Sequence, residues 1–445
     1  MIERIEIKKL HNLYDYDIRI PDNQNVTILT GPNGYGKTTL LKIISNLLSC
    51  NFWYFYFIRF ASIRITFRKS ASTDSVYSVR LEQKKSDPIE EKPEQSSEAT
   101  GTFATDKQLS IELYSNKKEK PLEILTLGKN YLARLFRRFV YTSSNEYSEW
   151  QIIRKLEGEY SLESDLYLAD NGKMLSLFLQ ERKCRFIKEQ RLITFSVSEK
   201  PTYSLRRKEY NEKIQVDTIA EELKNTFAEN QMLFAARSQD IDATFIKRLV
   251  SGDHARYDEQ SFKNKLDALK QKIERYRKYA LVSDIDIQEV YSKKHEDALS
   301  LYIDDMEQKL AVFDDFYDKL VLFDRFVSGK SLSNKYIVLN ENKGIAIYND
   351  LDEEIPLSSL SSGEQDLIIL YYRLVFSTQA RSLLLIDEPE NSLHVAWLEQ
   401  MLNDYQQMAD KLKCQIIIAT HSPSFIDGQW EKTFDLFDLN ETPKA

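Results

Sequence analysis

The sequence predicts an α/β fold, a mixed sheet flanked by helices with a helical hairpin insertion, and three observations carry that prediction. A glycine-rich stretch, Gly31-Pro-Asn-Gly-Tyr-Gly-Lys37-Thr38, stands between a buried-strand run and an apolar-periodic segment. Two runs, the wholly apolar Leu383 to Ile386 and Gln415 to Ala419 with four apolar residues after its glutamine, have the length and composition of strands covered on both faces. Between them and the glycine-rich stretch, residues 216 to 328 repeat their apolar positions at helical spacing.

The opening Met1-Ile-Glu-Arg-Ile-Glu-Ile alternates like a strand and lacks the long apolar core of a signal peptide. Val26-Thr-Ile-Leu29 is the next strand. The glycine-rich stretch that follows fits the phosphate-binding loop G-x-x-x-x-G-K-[ST], and Leu40, Ile43, Ile44 and Leu47 place a helix directly after it. Glycines at 31, 34 and 36 let backbone N–H groups turn inward around phosphate, and the helix start adds about half a positive charge. Asn33, Gly34, Gly36, Lys37, Thr38 and Thr39 are therefore the candidate nucleotide-binding set. Lys37 is expected to neutralise the β and γ phosphates of ATP, and Thr38 to offer its hydroxyl to Mg²⁺, a cation that takes hard oxygen ligands.

Asp387 and Glu388 stand at the C-terminal end of the strand Leu383 to Ile386, the edge where ligands bind in open α/β sheets. Asp387 is the candidate Mg²⁺ ligand and Glu388 the group that orients and partly deprotonates an attacking water. Thr420 and His421 follow the strand Gln415 to Ala419 to the same edge, where an imidazole can donate to a γ-phosphate. Leu360-Ser361-Ser362-Gly363-Glu364 reads as a serine-capped helix start with a capping-box acid, continued by Leu367, Leu370 and Leu374.

With 445 residues the chain can bury one large core and an elaborated insert, and two lobes are expected. The expected boundaries are 1–195 for the first ATPase lobe, 196–330 for the helical insertion and 331–445 for the second ATPase lobe. Three scattered cysteines, Cys50, Cys184 and Cys414, show no metal or disulfide spacing, which suits the cytoplasm. The aromatic run Asn51 to Phe60 is far shorter than the roughly 20 residues of a membrane helix, so no membrane contact is expected. It reads as a strand. A net charge of −8 opposes a general nucleic-acid coat, although the cluster Lys129, Arg134, Arg137 and Arg138 and the run Arg206-Arg207-Lys208 leave DNA contact open beside plain solvated helix faces. Residues 84 to 101 read as an exposed polar loop or hairpin tip, and Arg185 to Ile193 as a strand returning to the nucleotide core.

Phe262, Leu266, Leu269, Ile273, Tyr276 and Ala280 form a heptad-like seam, and a second run passes through Leu299, Tyr302, Met306, Leu310, Phe313, Tyr317 and Leu320. A break near Ser283-Asp284 between the two suggests an antiparallel helical hairpin.

Taken together, the phosphate-binding loop, Leu360-Ser-Ser-Gly-Glu-Gln365 and Asp387-Glu-Pro-Glu-Asn-Ser-Leu-His394 resemble the ABC-type ATPases of the SMC, RecF and OLD group. Glu388-Pro-Glu-Asn-Ser-Leu-His394 is similar to the OLD and AAA15-like branch rather than to transporters. The resemblance covers roughly residues 1 to 60 and 330 to 428. It implies that Ser361 and Gly363 contact the γ-phosphate bound to an opposite subunit, so that the protein works as at least a homodimer. It also makes Gln190 a further candidate Mg²⁺ or water contact. OLD nucleases continue into a TOPRIM domain after the switch histidine, whereas here only a short stretch follows His421. The chain therefore resembles the stand-alone ATPases of the anti-phage systems PARIS, of the AriA type, and Septu. That likeness implies a separately encoded effector, a TOPRIM nuclease for PARIS, and a phage-derived trigger. A RecF- or SMC-like DNA-repair clamp is the alternative.

Overall fold

The computed structural model describes residues 1–68, 76–85, 107–128, 131, 172–188, 193–197, 210–252, 254–283, 287, 290–330, 332, 334–378, 380–391 and 393–441. The chain divides into two compact units. The first comprises residues 1–189, 378–391 and 395–445, and the second residues 190–377 with 392–394. The stretch 331–445 is thus shared: 331–377 lies in the second unit and nearly all the remainder in the first.

The first unit holds two sheets. Strands β1 (Ile2–Leu10), β2 (Tyr14–Arg19), β4 (Ser62–Phe67), β5 (Tyr77–Lys85), β6 (Lys107–Ser115) and β7 (Glu123–Leu127) form a six-stranded sheet in the order β2-β1-β4-β5-β6-β7, antiparallel throughout. The other sheet is parallel. Its order is β16 (Thr433–Asp435), β3 (Val26–Thr30), β15 (Gln415–Ala419), β14 (Leu383–Asp387) and β8 (Cys184–Ile187). Every residue of β3, β14 and β15 is buried, including the polar Thr27, Thr30, Asp387 and Gln415 beside their apolar residues.

Helix α1 (Lys37–Leu48) buries Leu40, Leu41, Ile43, Ile44 and Leu47 in one cluster with β1, β2 and β4 to β7, and with Leu29, Leu385 and Ile417 of the parallel sheet. Short helices α2 (Tyr54–Phe57) and α3 (Lys173–Gln180) belong to the same cluster. The Gln415 side chain ties the sheets together: it accepts from the Ile2 amide at 2.6 Å and donates to the Ile2 carbonyl at 2.9 Å. In this buried setting both polar ends of the amide are satisfied across 413 positions of sequence.

Asn51 to Phe60 is a correction: it contains no strand. Amides of Tyr54, Phe55 and Tyr56 donate to the carbonyls three residues back, and Trp53, Tyr54, Phe55 and Phe57 meet edge to face. A short continuous apolar run carries no period that separates a strand from a buried helical turn, and three-dimensional packing decides.

The second unit is largely helical. It contains a hairpin of β9 (Ile193–Val197) with β10 (Tyr210–Ile214), then α4 (Gln215–Ser251), α5 (Glu259–Arg277), α6 (Glu296–Leu310) and α7 (Asp314–Ser328). A three-stranded sheet, β11 (Lys335–Asn340), β12 (Gly344–Asn349) and β13 (Glu354–Ile355), leads to α8 (Ser362–Phe376). The helical insertion is present, but α5 and α6 are not its antiparallel arms. Contacts from α5 advance with those of α6 and α7: Lys265 reaches Asp304 and Glu307, Lys272 reaches Asp314, and Lys278, just past α5, reaches Asp324. The antiparallel partner is α4, where Arg248 meets Asp305, Phe234 stacks on Phe313 and Phe227 packs against Phe316. Heptad spacing shows which face of a helix is buried and says nothing of its direction, so two seams in succession fit either pairing.

Of the polar stretch 84–101, Lys84 and Lys85 end β5 and the rest lies outside the described residues, as do Lys129, Arg134, Arg137, Arg138 and Arg206 to Lys208. Strand β8, Cys184–Ile187, covers residues 185–187 of the segment expected from Arg185 to Ile193, and Gln190 is outside the described residues.

Candidate functional site

At the C-terminal edge of the parallel sheet, β3 passes through Gly31 to Gly36 into α1, β14 ends on Asp387, and β15 delivers Thr420 and His421. The three sequence motifs of this edge belong to one unit. The loop depends on its glycines: Gly31, Gly34 and Gly36 have φ of 131°, 91° and 79°, values L side chains rarely adopt. A Cβ on Gly34 would meet nothing within 4 Å, so there it is backbone conformation that selects glycine. Tyr16 fastens the loop from β2, its hydroxyl donating to the Tyr35 carbonyl at 2.6 Å, and the Tyr35 ring rests on Tyr14 and Phe437.

Lys37 is buried, and its ammonium donates to the carbonyls of Gly31 at 2.7 Å and Pro32 at 3.4 Å. The charge is thereby folded back over the loop whose amides would surround a phosphate. Thr38 Oγ1 donates to Asp387 Oδ1 at 3.0 Å, linking the first turn of α1 to the end of β14. Two hard oxygens so close, beside a phosphate-binding loop, suit Mg²⁺, which keeps several waters and completes its octahedron with substrate phosphates. Among the described residues no group of three or more His, Cys, Asp or Glu could hold a metal alone.

Glu388 takes a left-handed backbone, φ 44°, and its amide donates to the Ala419 carbonyl at 2.8 Å. Such a conformation is uncommon outside glycine and is held by its surroundings. Asn391 Nδ2 donates to Glu388 Oε2 at 2.9 Å, and His421 Nδ1 lies 3.4 Å from Glu388 Oε1. Glu390, buried, accepts from the Thr420 hydroxyl and from the His421 amide at 3.1 Å. Sequence reasoning assigned no role to Glu390, Asn391 or Tyr16. Glu390 and Asn391 had a usable signal, polar residues just beyond a candidate catalytic pair; Tyr16 had none.

In the second unit, Ser361 is the N-cap of α8, with Gly363 in its first turn. The amide of Glu364 donates to Ser361 Oγ at 3.3 Å, while Glu364 Oε2 accepts from the Ser361 amide at 2.9 Å and from its hydroxyl at 2.8 Å. This is the capping box expected from sequence. Lys335, at the start of β11, adds a 2.7 Å contact to Glu364 Oε1. Burial disfavours the Glu364 anion, but hydrogen bonds from Lys335 and Ser361 outweigh it and hold the carboxyl below its usual range.

Two solved structures are similar over 96% of this chain and 90% of their own. One is an Smc head domain with an extended coiled coil bound to the C-terminal domain of ScpA, from Pyrococcus furiosus, at 14% identity and a TM-score of 0.31. The other is an SmcHead bound to the C-winged helix domain of ScpA, at 10% identity and a TM-score of 0.33. Comparison with curated proteins gives no match. The model of the AAA ATPase domain family AAA_15 matches residues 1–426, nearly the whole chain, and the protein belongs to that family.

Proposed function

We propose that this protein is an ATP-binding and ATP-hydrolysing sensor or scaffold of a bacterial anti-phage defence system, that it assembles through ATP held between two copies, and that it controls a separately encoded effector nuclease. The observation that carries the ATPase reading is the convergence of the phosphate-binding loop, the Thr38–Asp387 contact and the Glu388–His421 pair at one sheet edge. The assembly reading adds the capped start of α8, where Ser361 and Gly363 would offer donors to a γ-phosphate bound by the other copy. The defence role rests on the likeness of Glu388 to His394 to the OLD and AAA15-like branch, together with membership of AAA_15.

On binding ATP, Lys37 exchanges its carbonyl partners for the β and γ phosphates, and loop amides and the α1 dipole take up further charge. Thr38 and Asp387 would hold Mg²⁺, which supplies neutralisation of charge on the β- and γ-phosphate oxygens. Glu388 accepts a proton from water as the water oxygen bonds to the γ-phosphorus. The bond from that phosphorus to the β–γ bridging oxygen breaks, giving ADP and phosphate. Asn391 fixes the carboxylate and His421 stands beside it to contact the γ-phosphate. Ser361 and Gly363 of a second copy complete the donor set, each charge-assisted hydrogen bond worth about 1.5–3 kcal/mol. Loss of the γ-phosphate removes those bonds and releases the interface.

Glu388→Gln is expected to keep ATP affinity, lower turnover by about 10²–10⁴-fold and accumulate the assembled form, whereas Lys37→Ala loses nucleotide and output together. Phosphate release and mass photometry with ATP and Mg²⁺ measure both. Equal turnover in the parent and Glu388→Gln excludes the assignment. Copurification with an effector supports defence control, while ATP-dependent, salt-sensitive DNA binding favours the DNA-repair clamp.

A further inference from the structure

We infer that Lys335 is a positioning residue for the signature serine, cancelling the charge of Glu364 so that the start of α8 can receive a partner's phosphate. The inference rests on the ATP-sandwich reading above and concerns a residue outside the signature motif. The capping box carries a conflict for phosphate binding. The Ser361 hydroxyl already donates to Glu364 Oε2 at 2.8 Å, so the donor meant for a γ-phosphate is engaged with a carboxylate. That carboxylate is almost wholly excluded from water, with 8% of its side chain exposed, so solvent screens little of its repulsion towards an incoming anion. A capping box alone turns the helix start from an anion-attracting end into one with an acid planted in it.

Lys335 resolves the conflict. Its ammonium contacts Oε1 at 2.7 Å and leaves Oε2 for Ser361, so the serine cap and the charge pair use different oxygens. Capping does not require it, because Ser361 and Glu364 already satisfy each other's donors. A cation at a helix N-terminus is also opposed by the helix dipole. Its placement is accounted for by Glu364, and the pair together is neutral. The backbone sets the position: Lys335 opens β11, and its amide donates to the Leu332 carbonyl at 2.9 Å. With the carboxylate neutralised, the Ser361 hydroxyl can rotate from Glu364 to a phosphate oxygen without leaving a bare negative charge behind it.

The test uses the full chain carrying Glu388→Gln, with ATP and Mg²⁺, and compares Lys335→Met, Lys335→Arg and Lys335→Met with Glu364→Gln. ATP-dependent assembly is followed by sedimentation over a range of protein concentrations, and nucleotide affinity is measured on the dilute protein. Lys335→Met is expected to weaken assembly by about ten- to a hundredfold with nucleotide affinity of the single copy unchanged. Lys335→Arg retains assembly. Adding Glu364→Gln, which keeps a capping-box side chain and removes its charge, restores assembly to within about threefold of the parent. A lysine needed only for folding would lower the nucleotide affinity of the dilute protein together with assembly, since its loss leaves a buried carboxylate unpaired whether or not a partner is present. A double variant as defective as Lys335→Met, or a Lys335→Met protein that assembles like its parent, overturns the inference and leaves the sandwich standing. A parent that never assembles with ATP removes both.

Discussion

Glu364 caps the start of α8, and its charge gives the fold a pH signature. Its folded-state carboxyl is held below the usual range by Lys335 and Ser361 despite burial, so the unfolded chain binds a proton more readily. The resulting stability is fully present above the ordinary glutamate range and is lost as pH falls through the depressed folded value. Glu364→Gln should therefore cost about 1 kcal/mol near pH 7 and nothing once the pH lies below that value; chemical denaturation of both proteins from pH 7 to pH 3 measures the difference. A gap that stays constant across the range contradicts the charge argument. At this scale fixed spacing made the juxtaposition of Thr38 and Asp387 legible, and the two side chains meet. Lys335 was not legible, because nothing in the local pattern of β11 indicates a partner 29 positions away.

Among elements, β12 approaches the backbone of α4 closely at Gly344. Gly344 has φ 68°, and a Cβ there would stand 2.0 Å from the Ala220 carbonyl oxygen and 2.9 Å from the Lys224 amide nitrogen, both backbone atoms of α4. Neither can move without breaking helix hydrogen bonds. Gly344→Ala should destabilise the protein by at least about 3 kcal/mol, from left-handed strain together with separation of hairpin and helix. Equilibrium urea unfolding tests this, and a loss under about 1 kcal/mol would show that the hairpin can stand off α4. Helical periodicity announced α5, α6 and α7 because each buries one stripe, as Phe262, Leu266, Leu269 and Ile273 do on α5. Their directions depend on connections such as 278–295, which carry no periodic signal. The aromatic stretch at Asn51 to Phe60 misled for the complementary reason, having apolar character without a period.

At the scale of the whole molecule, β3, β14 and β15 were recognisable as buried strands from composition alone, yet their order between β16 and β8 was not. Continuous apolar runs reveal burial on two faces and contain no information on which neighbour pairs with which. The proposed ATP sandwich poses the same question at larger size: the phosphate-binding loop and the capped start of α8 belong to different compact units, and chemistry alone does not say whether the donors proposed for one nucleotide come from one chain or from two. Mass action separates the cases. If two copies share the nucleotide, ATP and Mg²⁺ should slow hydrogen exchange at residues 31–38 at every protein concentration, since a single copy binds through its loop. Slowing at residues 361–366 should appear only as protein concentration rises, and should be strongest in Glu388→Gln, which holds ATP uncleaved. Protection at 361–366 that matches the loop in dilute solution would mean that the signature is engaged within one chain. Protection at 31–38 alone, at all concentrations, would mean that Ser361 and Gly363 take no part in binding.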